Sequence, residues 1–210
     1  MEKSYTSAMS EEETNAIPEN DHGIKTDTES SVDLDTEEEA KAHFQIVKER
    51  LLNIRNWRNI SIGSPTDFRL TDRDGTEVHR PAQEGDYFNI DIPGPGSDSG
   101  EGLDWVQIIE IEHKAEANSE HLAIKVQPRP HPAKVEKNVS HFFDEEASST
   151  FMVRREGLKV SASVHGRNEQ PNTETENITD KIRNAVVAVG AMLGFSKAQW
   201  KSLVEGLVKK

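Results

Sequence analysis

The stretch Ser148–Pro171, SSTFMVRREGLKVSASVHGRNEQP, constrains the fold more than any other part of the chain. It holds two runs of alternating side chains around a Glu-Gly pair, the pattern of an antiparallel β-hairpin. Reading Glu156-Gly157 as a two-residue loop sets Arg155 opposite Leu158, Val153 opposite Val160, Phe151 opposite Ala162 and Ser149 opposite Val164. Side chains alternate from face to face with period two, so this register gathers the apolar residues on one face. That face is expected to turn toward the C-terminal helices. The other face sets Arg154 against Lys159, a like-charge pair that calls for a neighbouring Glu or a bound anion.

The remaining elements are read by the same periodicities. Thr36 and Glu39 have capping-box spacing, and Ala40, Phe44, Val47, Leu51 and Ile54 then form one face of a helix from about Glu37 to Asn56. Trp57 is expected to close that helix against the core. Thr66–Asp72 and Thr76–Arg80 flank Arg73-Asp74-Gly75, which suits a hairpin with Gly75 left-handed and Leu70 paired with Val78. Tyr87–Ile92, Leu103–His113 and Ser119–Gln127 read as strands, with a bulge expected between Ile108 and Ile109. Two helices are expected at the end. Ile182, Val186, Val189 and Leu193 stripe the helix Asp180–Leu193, and Trp200, Leu203, Val204 and Leu207 stripe Lys197–Val208. The fold class is therefore α+β: a curved antiparallel sheet of about six strands with an N-terminal helix and two C-terminal helices packed on it.

Charge divides the chain. Of 38 acidic and 25 basic residues, 13 and 2 fall in residues 1–39, which leaves the remainder with a net charge of −2. Residues 1–35 are read as a disordered acidic tail, too poor in apolar side chains to offset the entropy of ordering, and 36–210 as a single domain. The near-neutral domain lacks the basic footprint of a nucleic-acid binder. No run is long and apolar enough for a membrane span. Without a leader-like N-terminus, the expected location is cytoplasmic. The chain has no Cys, which excludes thiol chemistry and Cys-type zinc sites.

Chemistry has few candidate seats. The loop Asp91–Asp104 is rich in glycine and acid, but lacks the Lys-Ser or Lys-Thr of a phosphate loop and the spacing of a calcium loop. It reads as a flexible loop, in the position of a lid over a pocket. The histidines are scattered, so neither metal nor cofactor is expected. His165-Gly166-Arg167-Asn168-Glu169 is the densest polar group. There His165 suits a general acid or base, Arg167 an anion clamp, and Glu169 and Asn168 orienting roles. The alternative is that these residues simply finish a strand. Trp105, beside Asp104, reads either as a pocket wall or as core.

The order of elements resembles the START-like, or helix-grip, superfamily over Thr36–Lys210. The matching stretches are NIRNWRNI at the end of the first helix, the strands from TDFRLTDRDG onward, and the closing helix KIRNAVVAVGAMLGF. The chain departs from that pattern in its second terminal helix, and in having no assignable first strand or paired short helices. The resemblance implies a cavity between sheet and helix that binds an apolar or amphipathic small molecule, as the superfamily's lipid, hormone and polyketide binders do. Trp105, Phe151, Arg154, Asn168 and Asp104 are the expected contacts. Two other readings stand beside it: an enzyme acting on a small anionic substrate through His165, Arg167 and Glu169, and an interaction module that docks a protein partner or a second copy through Trp200, Leu203 and Leu207.

Overall fold

A computed structural model describes residues 16–61, 63, 66–91, 103–134, 139, 141, 143–170 and 197–210. Thr36 opens helix α1 (Glu37–Leu52), its Oγ1 accepting the Glu39 backbone N–H at 3.2 Å. The Glu39 carboxylate reaches back to the N–H of Asp35 at 3.3 Å, one residue outside the usual capping box. Ala40, Phe44, Val47 and Leu51 are buried along one face of α1. The helix ends short of Asn56, because Asn53 takes a ψ of 69° and leaves helical space. A 3-10 turn (Ile54–Asn56) and the one-turn helix α2 (Trp57–Ile60) follow. Trp57 is buried at the centre of the core, with its indole N–H donated to the carbonyls of Arg50 and Leu51.

One antiparallel sheet of seven strands carries these helices, in the order β1-β7-β6-β5-β4-β3-β2. Its strands are β1 (Ile24–Asp33), β2 (Asp67–Thr71), β3 (Tyr87–Asp91), β4 (Asp104–Ala115), β5 (Ser119–Pro128), β6 (Ser148–Glu156) and β7 (Lys159–Glu169). The inner face is apolar from Phe68 and Leu70 through Phe88, Val106 and Ile124 to Phe151 and Val164. Against it lie α1, α2 and the terminal helix α3 (residues 197–208). The α+β architecture is helix-grip-like. The expected helix Asp180–Leu193 and most of the Asp91–Asp104 loop lie outside the described residues.

Three expectations are corrected. Residues 24–33, assigned to a disordered tail, form β1 and pair with β7 from Ile24↔Glu169 to Asp33↔Lys159. Thr26, Thr28, Ser30 and Val32 alternate onto the inner face, so β-branched and small side chains make a usable edge strand despite the acids between them. The hairpin loop is Gly157-Leu158 rather than Glu156-Gly157, with Phe151↔Val164, Val153↔Ala162 and Glu156↔Lys159 as partners. Gly157, at φ 56°, takes the first loop position that a type II′ turn gives to glycine. Arg154 thus meets Ser161 instead of Lys159, and it pairs with Glu156 at 3.3 Å. A two-residue slide preserves face parity, which is why the apolar set survives the change. Finally, Thr76–Arg80 is no continuous strand: the bridge Thr71↔Glu77 and the bond from Val78 N–H to Leu70 O, 3.0 Å, hold it at one point. The pairing of Leu70 with Val78, Gly75 at φ 84° and the break in β4–β5 register between Ile108 and Glu110 are as expected.

Candidate functional site

The pairing of β1 with β7 organises the polar residues at one end of the sheet. On the outer face, Asp27 of β1 stands opposite His165 of β7. His165 Nδ1 lies 2.7 Å from Asp27 Oδ1, and Arg167 Nη2 lies 2.8 Å from the same oxygen. Arg167 also donates to the carbonyls of Thr26 at 3.1 Å and Gly166 at 2.8 Å. Its side chain is only 5% exposed while that of Asp27 is 45% exposed, so the ion pair shields a buried guanidinium from one side. Burial acts to raise the pKa of Asp27, but the hydrogen bonds from His165 and Arg167 outweigh it and hold the carboxyl below its ordinary value. Burial lowers the pKa of His165 in spite of Asp27. The imidazole is therefore neutral at pH 7, with Nδ1–H donated to Asp27 and Nε2 free to accept.

Nε2 lies 2.9 Å from Ser163 Oγ. Asp27–His165–Ser163 thus repeats the carboxylate–imidazole–hydroxyl order of a nucleophilic relay. Such a relay also needs donors for an oxyanion. Here β7 pairs on both sides, so its backbone N–H groups are committed to the β1 and β6 ladders, and Glu29 faces Ser163 across the strand pair. Developing negative charge at Ser163 would meet a carboxylate rather than donors. The relay is a tie between β1 and β7.

Asn168 departs from the strand, with φ 54°, and a register shift lies between Ile24 and Thr26 on the partner. Its Oδ1 accepts the N–H groups of Asp21 at 2.9 Å and His22 at 3.3 Å, and its own N–H donates to Asn20 Oδ1 at 2.8 Å. It holds the segment leading into β1.

This irregularity sends Glu169 to the inner side. Its carboxylate accepts from Thr26 Oγ1 at 3.2 Å, and a Cβ on Gly166 would collide with both groups. Gly166 is what lets Glu169 fold over the strand. Burial raises the pKa of Glu169 to about 7, against the opposing effects of the Thr26 bond and Arg167. The carboxyl borders a cleft of about 140 Å³ lined by Lys25, Thr26, Asp27, Thr28, Lys197 and Trp200. A wider groove continues along β1 past Lys197 and Lys201.

His165, Arg167 and Glu169 are therefore adjacent in sequence but divided between the two faces. The expected ligand contacts are also dispersed. Phe151 is core on the inner face, with ring centroids 4.8 Å from Trp57 and 5.2 Å from Trp200. Trp105 is buried on the outer face, where it pairs in register with Asn89 and lies 4.3 Å from the His131 ring. Asp104 is buried at the start of β4, and Arg154 lies on the outer face of β6. In α3, Leu203, Val204 and Leu207 are buried in the chain's own core, and Gly206 is pressed against the Ile60 carbonyl. That apolar face, expected to be available to a partner, is already covered.

Asp27, Ser163 and Thr26 were not singled out from the sequence. Ser163, His165 and Arg167 do share one face by period two, which is legible. Asp27 and Thr26 join them only through a pairing more than a hundred residues away along the chain. Among the described residues no group of three or more His, Cys, Asp or Glu is placed to hold a metal ion. Nor is any helix there long and apolar enough to cross a membrane.

No protein-family model matches the chain, and no curated protein matches its sequence. Among solved structures, a hypothetical protein from Helicobacter pylori is 15% identical, covering 86% of this chain and 86% of its own, with a TM-score of 0.45. A protein from Arthrobacter aurescens is 10% identical over 88% of this chain and 87% of its own, with a TM-score of 0.37. The major latex-like protein 151 of Panax ginseng is 14% identical over 85% and 99%, with a TM-score of 0.32. With TM-scores under 0.5 these likenesses carry no argument about this chain, whose functional reading rests on its own residues.

Proposed function

We propose that the protein is a small-molecule binding module of helix-grip type, whose occupant lies between β1, the end of β7 and α3. The observation that carries this reading is the cleft at Glu169 and Trp200, with an aromatic wall on one side and polar groups on the other. Small-molecule sites combine those two kinds of lining. At about 140 Å³ the cleft is close to the roughly 150 Å³ in which a single benzene ring binds, so the buried part of the occupant is ring-sized. A long lipid chain does not suit it. The reading is thus narrower than a general apolar ligand, and the outer-face residues His165, Arg167 and Arg154 play no part in it.

Native mass spectrometry of the purified full chain tests the idea. A co-purified small molecule is expected, and Thr28→Trp, which fills the cleft from an edge strand, should remove it, while Thr28→Val retains it. An adduct that persists at equal occupancy in a folded Thr28→Trp protein would place the occupant elsewhere and sink the proposal.

A further inference from the structure

We infer that the cleft takes a small aromatic carboxylate, its ring against Trp200 and its carboxylate among Lys197, Lys25 and the carboxyl of Glu169. This assignment rests on the cleft reading above.

Trp200 supplies a fixed ring face. Its centroid lies 5.2 Å from Phe151 and 6.2 Å from Phe68, so it is braced by core aromatics on one side while its other side borders the cleft. The charged lining is Lys25, Lys197, Asp27 and Glu169, with the Asp27 carboxylate drawn to the outer face by His165 and Arg167. Lys25 has only a long contact, 3.8 Å, to Asp27, and both groups are half exposed. Lys197 has no ion pair among the described residues; in the adjoining groove Lys201 is paired with Glu205 at 3.4 Å and shares the lining with Asp27 and Glu29. A neutral ligand would leave the Lys197 ammonium unused.

An ionised Glu169 would repel an anion, and its surroundings resolve the conflict. The described charged groups around it are Lys25 and Asp27 from β1, His165 and Arg167 from its own strand, and Lys197 from α3. Asp27 is turned to the outer face and engaged by His165 and Arg167. Burial leaves the Glu169 carboxyl half protonated near neutrality, at about pH 7. In its acid form it donates a hydrogen bond to an incoming carboxylate, with Thr26 Oγ1 fixing the other oxygen. The anion therefore binds the protonated site, and apparent affinity follows the fraction protonated.

The test is an NMR-detected titration of the full chain with benzoate and with benzamide, at pH 6 and pH 8. Benzoate is expected to bind about tenfold more weakly at pH 8 than at pH 6, the change in protonated fraction around a pKa of about 7. Glu169→Gln should abolish that difference. Lys197→Met, a change at an exposed side chain, should weaken benzoate several-fold and leave benzamide unchanged. If benzamide binds as well as benzoate, or if benzoate tightens at pH 8, the carboxylate assignment is overturned and the cleft reading stands. If neither probe binds and the purified protein carries no adduct, both fall.

Discussion

Two carboxyl groups on the same strand pair live opposite lives. Asp27 faces outward, takes hydrogen bonds from His165 and Arg167, and stays ionised below the usual carboxylate range. Glu169 faces inward, receives one hydroxyl bond from Thr26, and keeps its proton to about pH 7. The side-chain chemistry is nearly the same, and the backbone irregularity at Asn168 decides which face each one meets. Partners, not burial alone, set the charge state: burial pushes both carboxyls upward, and only Asp27 takes hydrogen bonds from both a guanidinium and an imidazole that reverse it.

The contrast between the faces can be broken in graded steps. Phe151→Ala removes the ring that touches both Trp57 and Trp200 and should cost about 3–5 kcal/mol in urea unfolding. A cost near 1 kcal/mol would mean that the inner face is loosely packed. Asp27→Asn strands the buried Arg167 and should cost about 2–3 kcal/mol at pH 7, at the low end for a broken buried pair because Asp27 is partly open to water. The same variant should flatten the acid limb of the stability profile. The folded pKa of Asp27 is depressed, so its contribution is present above the unfolded value of about 3.8 and is lost as pH falls through the folded one.

Glu169→Gln should act with the opposite sign. The folded chain binds this proton more tightly than the unfolded chain, so the wild type loses stability as pH rises from about 4.5 to about 7. The variant should be more stable by about 3 kcal/mol at pH 8 and equal at pH 4. A constant difference at all pH values would show that the carboxyl titrates normally. Smallest, Asn168→Ala should cost about 1 kcal/mol and speed amide exchange at Asp21 and His22, whose N–H groups the side chain accepts. Asn168→Gly, which keeps the φ of 54° accessible, should cost less in backbone strain but lose the same protection.

Local pattern carried far into this fold. The α1 stripe, the Gly75 turn, the bulge after Ile108 and the apolar faces of β2 to β7 follow from periods of 3.6 and 2, which neighbours along the chain suffice to set. The loop of the β6–β7 hairpin was misplaced because alternation cannot distinguish registers that differ by two residues; the glycine's position in the turn does that. β1 was missed for a different reason. Its acids and hydroxyls resemble a solvated tail, and the pairing that orders them is with β7, at the far end of the sheet sequence. Half of the site went with it. His165, Arg167 and Glu169 were legible as a polar cluster, whereas their separation onto two faces depended on Asp27, Thr26 and the turn at Asn168.

The pairing of β1 with β7 also has a consequence for assembly in time. Ile24–Asp33 leaves the ribosome early, but its partner Lys159–Glu169 is made well over a hundred residues later. At about 5–20 residues per second, the edge strand waits several seconds with its backbone unpaired. A hydrophobic strand in that position would invite association with other chains. The alternating Thr, Ser, Asp and Glu of 26–33 instead keep it hydrated until β7 arrives. The composition that disguises the strand is what makes so late a pairing safe.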